Sequence, residues 1–357
     1  MFAKVVQELD GFLELGIPGY DCAVYHKGKC VFRHFNGYSD AVNKVPINGK
    51  ERYNIYSCSK VITCTAALML YERGMFKLED KLSQYMPEFE DMYVTTAKGI
   101  RKAEKSITLE NLFCMTAGFS YNLDSPMIKK CKEETHGKCQ TRELMNYLAK
   151  EPLLFEPGEH WEYSLCHDVL AAFVEVVSGM RFGEFVAENI FKPLGMKNST
   201  FLLDDRHLDT VSTQYVFNRE TGKSDIRSKA IGYKLGTEYE SGGAGCISTV
   251  DDYITFLEGL RVGKLLQPTT ISLMSTNRLT AEQRKSYWVE NYGYGLGVRC
   301  TMGNDNITDF GWGGAAGAYL LIDMKNEITA FYAQHVLNSP VNSIHIQLTS
   351  LIQEALK

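Results

Sequence analysis

No stretch of the 357 residues approaches the ~18 uninterrupted apolar positions that a bilayer-spanning helix requires. The first residues, Met1-Phe2-Ala3-Lys4-Val5-Val6-Gln7-Glu8-Leu9-Asp10, lack the apolar core of a secretory leader and carry acids at once. The expectation is a cytoplasmic protein, unless a leader was removed ahead of this numbering. Surplus positive charge is also missing. With 38 basic against 43 acidic residues, the net charge of −5 argues against a nucleic-acid surface built on bulk charge. Nine prolines and 30 glycines exclude a collagenous or Pro-rich disordered chain. There is no C-x-x-C pair, and the eight histidines do not cluster, so no metal or other cofactor is expected. The ten cysteines are scattered singly, which suits small buried hydrophobes in a reducing compartment. Gly-x-Ser-x-Gly is absent too, which removes the α/β-hydrolase route to an esterase.

What remains is an ordinary globular composition, 45% hydrophobic and 23% charged, long enough for one large domain or two average ones. Residues 2–15 read as an amphipathic helix closed by Gly16 and Pro18. Tyr20–Tyr25 and Cys30–Phe35 flank His26-Lys27-Gly28-Lys29 as a hairpin. Val61–Tyr71, apolar nearly all round and closed by Arg73-Gly74, predicts a helix buried on every side. From 76 to 230 the pattern is mostly helical, with segments at Thr108–Met115, Arg142–Lys150, Leu165–Ser178 and Phe182–Ile190. Gly179 and Pro193 act as stops there. Ser248 and Thr249 precede acids and then Tyr253–Leu260, which reads as an N-capped helix. Strands follow at Gly317–Ile322 and Ile328–His335, and a last helix at about 342–356. The expected fold is α/β (α+β): an antiparallel sheet made from both chain ends, flanked by helices, with a mostly helical insert. Residues 1–75 and 231–357 would form the sheet domain and 76–230 the helical one, with a site at their interface.

Three segments could carry chemistry. In Ser57-Cys58-Ser59-Lys60, the lysine lies three residues beyond the serine and shares its helix face. Hydrocarbon around it would disfavour the charged form and let it act as a base. Alone, the tetrad is better read as a helix cap beside a solvated lysine. It gains weight from Glu156-Pro157-Gly158-Glu159-His160-Trp161-Glu162-Tyr163-Ser164-Leu165, which leads into a helix. Gly311-Trp312-Gly313-Gly314-Ala315-Ala316-Gly317, which opens the last hairpin, adds more. Gly293, Gly295 and Gly297 lack dinucleotide-loop spacing and instead mark a strand that another backbone approaches closely.

Taken in order, these segments resemble the S-x-x-K, Y-x-N and K/H-x-G motifs of the serine β-lactamase and penicillin-binding-protein superfamily. Tyr56–Lys60, Glu72-Arg73-Gly74, Leu78–Pro87, Thr108–Phe113 with Thr116-Ala117-Gly118, Pro193–Met196 and Gly242–Thr249 extend the likeness to the class C β-lactamase branch. The resemblance implies a β-lactamase/transpeptidase-like fold and acyl transfer through an ester on Ser57. Lys60 and Tyr163 would share the proton, and the backbone N–H groups of Ser57 and Ala315 would form the oxyanion hole. Trp312, Gly313, Gly314 and Leu165 would fall where the family contacts substrate.

Two departures bear on the substrate. Leu165 stands where β-lactamases carry Asn, and Trp312 where they carry the Lys or His that pairs with a substrate carboxylate. Tyr-Ser-Leu and Trp-Gly-Gly look more like the esterase and transesterase members. The expectation is therefore a carboxylesterase or transesterase acting on a small-molecule ester or amide. The alternatives are a β-lactamase or D-amino-acid peptidase, and a penicillin-binding-type module without turnover. His160, His167 and Asp168 read as capping or supporting residues, and Cys58 as packed into its helix.

Overall fold

The computed structural model describes residues 1–202, 210–227, 235–303, 307–342 and 345–357. The chain opens with α1 (Ala3–Glu14), β1 (Gly19–His26), β2 (Lys29–Asp40), β3 (Val45–Pro46), β4 (Tyr53–Asn54), a 3-10 turn (Tyr56–Cys58) and α2 (Ser59–Glu72). The middle supplies β5 (Tyr93–Thr96), β6 (Gly99–Lys102), α3 (Leu109–Phe113), α4 (Pro126–Glu134), α5 (Thr141–Leu148) and α6 (Cys166–Ser178). It continues with α7 (Phe182–Val186), a π turn (Ala187–Phe191), α8 (Lys192–Leu194), β7 (Tyr215–Asn218) and β8 (Lys223–Ile226). The last third holds β9 (Ile247–Ser248), α9 (Val250–Arg261), α10 (Pro268–Met274), β10 (Gly293–Tyr294), β11 (Arg299–Cys300) and β12 (Asp309–Gly313). β13 (Tyr319–Asp323), β14 (Ile328–Ala333), β15 (Val336–Leu337) and α11 (His345–Ala355) complete it.

Both chain ends build one eight-stranded sheet in the order β10-β11-β12-β13-β14-β1-β2-β3, with antiparallel neighbours. The β1–β2 hairpin closes on Lys27 and Gly28, both at positive φ, the two-residue turn whose twist suits a hairpin. Register sorts the side chains into two cores. Tyr319, Tyr332 and Cys22 share one face, where Val5, Leu9 and Phe12 of α1 meet Leu348 and Ile352 of α11. Trp312, Leu320, Phe331 and Ala23 share the other, against Tyr253, Phe256 and Leu257 of α9. Covered on both faces, β13 and β14 are buried at every position. Each fully buried large apolar side chain contributes about 1.5–3 kcal/mol.

α2 runs through the larger core with every residue from Ser59 to Leu68 buried, matching its nearly uniform apolar character. It starts two residues after Ser57, which sits in the preceding 3-10 turn rather than in the helix proper. Pro193 does not stop a helix. The segment from Phe182 continues through the π turn into α8, where Pro193 occupies the first turn and needs no N–H partner. It ends at Gly195 (φ 72°) in a Schellman pattern, with Met196 N–H on Phe191 O at 2.9 Å. The stretch from 76 to 230 also contains the β5–β6 and β7–β8 hairpins and the helix α4, and α10 follows later in the chain. Of the expected last helix, positions 343–344 lie outside the described residues.

Candidate active site

Ser57 is held by a turn anchored on both sides. Before it, β4 pairs with β9, and Ile55 N–H donates to Cys246 O at 3.1 Å. After it, Cys246 N–H donates to Ser59 Oγ (2.9 Å), Thr63 Oγ1 to Gly242 O (2.7 Å), and Tyr253 OH to Cys58 O (2.7 Å). Tyr56 takes a left-handed conformation (φ 46°), costly for a bulky residue and tolerated because these contacts over-determine the turn. Gly314 packs against the same turn. A Cβ on it would lie 2.3 Å from Ile55 O, so only glycine lets β12 come this close.

Lys60 is completely buried, and its Nζ donates to Ser57 Oγ at 3.2 Å, Gly243 O at 2.7 Å and Tyr121 OH at 3.4 Å. Aromatic rings also face its Nζ, which lies 4.6 Å from the centroid of Tyr163 and 5.3 Å from that of Tyr121. The two side chains that the tetrad spacing brings together, Ser57 and Lys60, are thus in contact. Tyr163 stands on the loop before α6, stacked between Tyr121 (5.4 Å, 8°) and Trp312 (5.8 Å, 23°). Trp312 Nε1 donates to Tyr163 OH at 3.3 Å, leaving the phenol proton available for exchange. Trp312 is 5% exposed and faces the site rather than turning away from it.

These groups open onto a cavity of about 910 Å³. Ser57, Tyr121, Tyr163, Trp312, Gly314 and Ala315 line it, and Trp288, 64% exposed, stands at its wall. Polar groups line it too. Arg299 lies between the rings of Tyr292 and Tyr319 and donates to Asp309 Oδ2 and Tyr319 OH, both at 2.6 Å. His345 is also in the lining, its pKa pushed down to about 3 by burial, so it is uncharged near neutral pH. Leu165 is not among the lining residues; it is buried at the start of α6, its N–H on Ser120 O at 3.2 Å. Among the described residues no group of His, Cys, Asp and Glu side chains could hold a metal ion, and no helix is long and apolar enough to cross a membrane.

Several participants had no individual signal in the sequence. Tyr121 follows Thr116-Ala117-Gly118 with nothing to mark it as a partner of Lys60. Trp288 lies in a connecting segment, and Arg299 and Asp309 lie in β11 and at the start of β12, where periodicity does not reveal them. Gly293, Gly295 and Gly297 do mark close approach. A Cβ on Gly295 would lie 2.1 Å from Met274 O, and one on Gly297 (φ 87°) 2.2 Å from Cys64 Sγ.

Solved structures with the same fold include EstCE1, a hydrolase with promiscuous acyltransferase activity, at TM-score 0.82 and 24% identity over 98% of both chains. Unliganded simvastatin synthase (LovD) from Aspergillus terreus superposes at TM-score 0.81 with 23% identity, covering 99% of this chain and 97% of that one. Among curated proteins, the lovastatin esterase of Penicillium rubens is 27% identical over 348 residues, covering 86% of each chain. The model of the Beta-lactamase family matches residues 2–351, a span that includes every one of the ordered motifs. The chain therefore belongs to the Beta-lactamase family.

Proposed function

We propose that this protein is a serine-dependent acyl hydrolase or acyltransferase, most suited to neutral carboxylic esters. The observation that carries the reading is Lys60 Nζ at 3.2 Å from Ser57 Oγ, which lines a cavity large enough for a drug-sized substrate. Ser57 Oγ attacks the ester carbonyl carbon while its proton passes to Lys60 in its uncharged form, along the same contact run in reverse. The carbonyl oxygen becomes an oxyanion, received by the N–H groups of Ser57 and Ala315. Tyr163, poised between Lys60 and Trp312, hands a proton to the departing alcohol. It then takes one from the water or second alcohol that releases the acyl group. Because Tyr163 and Lys60 are packed together, their protons belong to the pair. The reacting groups sit between the sheet-bearing segments 1–75 and 231–357 and the segment 76–230, which we treat as two domains.

The preference for neutral esters rests on charge. Of the described residues that line the cavity, Arg299 is the one cation, and Asp309 at 2.6 Å balances it. The position where β-lactam-active relatives offer a cation holds Trp312 instead. A panel of nitrophenyl esters of increasing acyl length, assayed beside a chromogenic cephalosporin, tests this. Ester turnover with little cephalosporin turnover supports the proposal. The reverse favours a β-lactamase or peptidase, and turnover of neither favours a binding module.

A further inference from the structure

Lys60 is a buried amine whose hydrogen-bond partners are the hydroxyls of Ser57 and Tyr121 and the carbonyl of Gly243, and no carboxylate among the described residues forms an ion pair with it. When it takes the Ser57 proton it becomes an ammonium in a closed space, which requires a nearby negative charge. The candidates are few. On its own helix are Cys58 and Cys64, thiols that burial pushes up. Tyr121 and Tyr163 face it across the cleft. From α6 come Cys166, pushed up to about 11, His167, pushed down to about 3, and Asp168. His167 is uncharged and meets Phe113 O at 3.1 Å.

Asp168 is 1% exposed and its carboxylate is asymmetrically served. Oδ1 accepts from Tyr239 OH at 2.8 Å and Ser241 Oγ at 2.7 Å, whereas Oδ2 has no partner. That bare oxygen points at the strap carrying Gly243. A Cβ built on Gly243 would meet Asp168 Oδ2 at 2.4 Å and Lys60 Nζ at 3.3 Å, so both groups reach into the space that glycine leaves open. The same strap is shaped by Ser241, whose Oγ also accepts from Ala244 N–H at 3.0 Å, and Gly243 O receives Lys60 at 2.7 Å.

We propose that Asp168 is a positioning residue for the proposed acyl transfer. Its carboxylate balances the Lys60 ammonium across Gly243, and its clamp on Tyr239 and Ser241 aims the Gly243 carbonyl at Nζ. The role acts through Lys60 alone, since Asp168 does not line the cavity. It rests on the reading of Ser57 as nucleophile, so the test reports on each separately.

Labelling of the wild-type protein by a fluorophosphonate on Ser57 establishes the nucleophile; no labelling overturns both proposals. In Asp168→Asn, labelling and ester kcat should fall roughly ten- to a hundred-fold, with KM within about twofold. The acid limb of the kcat–pH profile should move to lower pH, because an ammonium without its counter-charge releases a proton more readily. A purely structural residue would not move that limb. Wild-type kcat with an unmoved limb overturns the role of Asp168 while leaving Ser57 intact. Should Asp168→Asn fail to fold, the double variant Tyr239→Phe with Ser241→Ala removes the clamp but keeps the carboxylate. It should lose about tenfold in kcat, and wild-type kcat there overturns the proposal equally.

Discussion

Replacing Trp312 separates two jobs that the structure gives one side chain. Its indole stacks on Tyr163 at 5.8 Å and donates to Tyr163 OH at 3.3 Å, and its ring occupies the cavity wall. Trp312→Phe keeps a ring and removes the donor. A net hydrogen bond is worth about 1 kcal/mol, so ester kcat should fall about fivefold with KM little changed. Trp312→Lys does more. Truncating a buried aromatic costs roughly 3–5 kcal/mol, partly recovered by the lysine methylenes, so the variant should unfold at lower temperature. It also adds an unbalanced cation, in contrast to Arg299 with its Asp309 partner. A charged hydrogen bond to a substrate carboxylate contributes about 1.5–3 kcal/mol, which corresponds to roughly ten- to a hundred-fold in acylation rate. The assay is the second-order acylation rate of a penicillin and of a neutral nitrophenyl ester in wild type, Trp312→Phe and Trp312→Lys. The penicillin rate should rise relative to the ester rate in the lysine variant alone. If both substrates respond alike, Trp312 shapes the fold rather than selecting the substrate, and the argument from charge fails.

Leu165→Asn, which restores the family's amide at that motif position, should not help β-lactam acylation. Leu165 is 2% exposed and off the cavity wall, so the amide would be buried without a partner at a cost of about 2–4 kcal/mol, measurable by urea unfolding. Gly297→Ala should destabilise by about 3 kcal/mol or more. Its φ of 87° disfavours a side chain, and the new methyl would meet Cys64 Sγ at 2.2 Å; an unchanged melting temperature would contradict this. Acidification should weaken the fold through its buried histidines. His167 and His345 have pKa values lowered to about 3 and His335 to about 4, against 6.5 for an unburied group. The unfolded chain therefore binds more protons between those limits. Stability is complete above about pH 6.5 and falls as the pH drops toward 4 and 3. His167→Gln should make that decline shallower by about one proton; a slope equal to wild type would refute the assignment.

The sequence revealed most where chemistry constrains several residues at once. Tyr56–Lys60, the Tyr163 segment and Trp312-Gly313-Gly314 are separated by about a hundred residues or more, yet their order alone indicated the family whose model matches 2–351. The apolar run of α2 and the capped helices α3 and α9 were legible because period and cap agree locally, as in the Thr108–Asn111 capping box. The strands β10 and β11 are two residues each and too short to show a period. The π turn before Pro193 was hidden as well, since an i→i+5 turn leaves no compositional mark. Of the site, side chains inside motifs were readable. Tyr121, Trp288 and the Gly243 carbonyl were not, because they reach Lys60 or the cavity only through packing between distant segments.

The central claim is that Ser57 carries the acyl group, and locating the adduct tests it most directly. The protein should be quenched in acid during turnover of a nitrophenyl ester, digested, and searched by mass spectrometry for the acylated peptide. The account predicts one acyl group on the peptide containing Ser57, lost in Ser57→Ala and strongly diminished in Lys60→Ala. An adduct on another side chain, or undiminished ester turnover by Ser57→Ala, would contradict it.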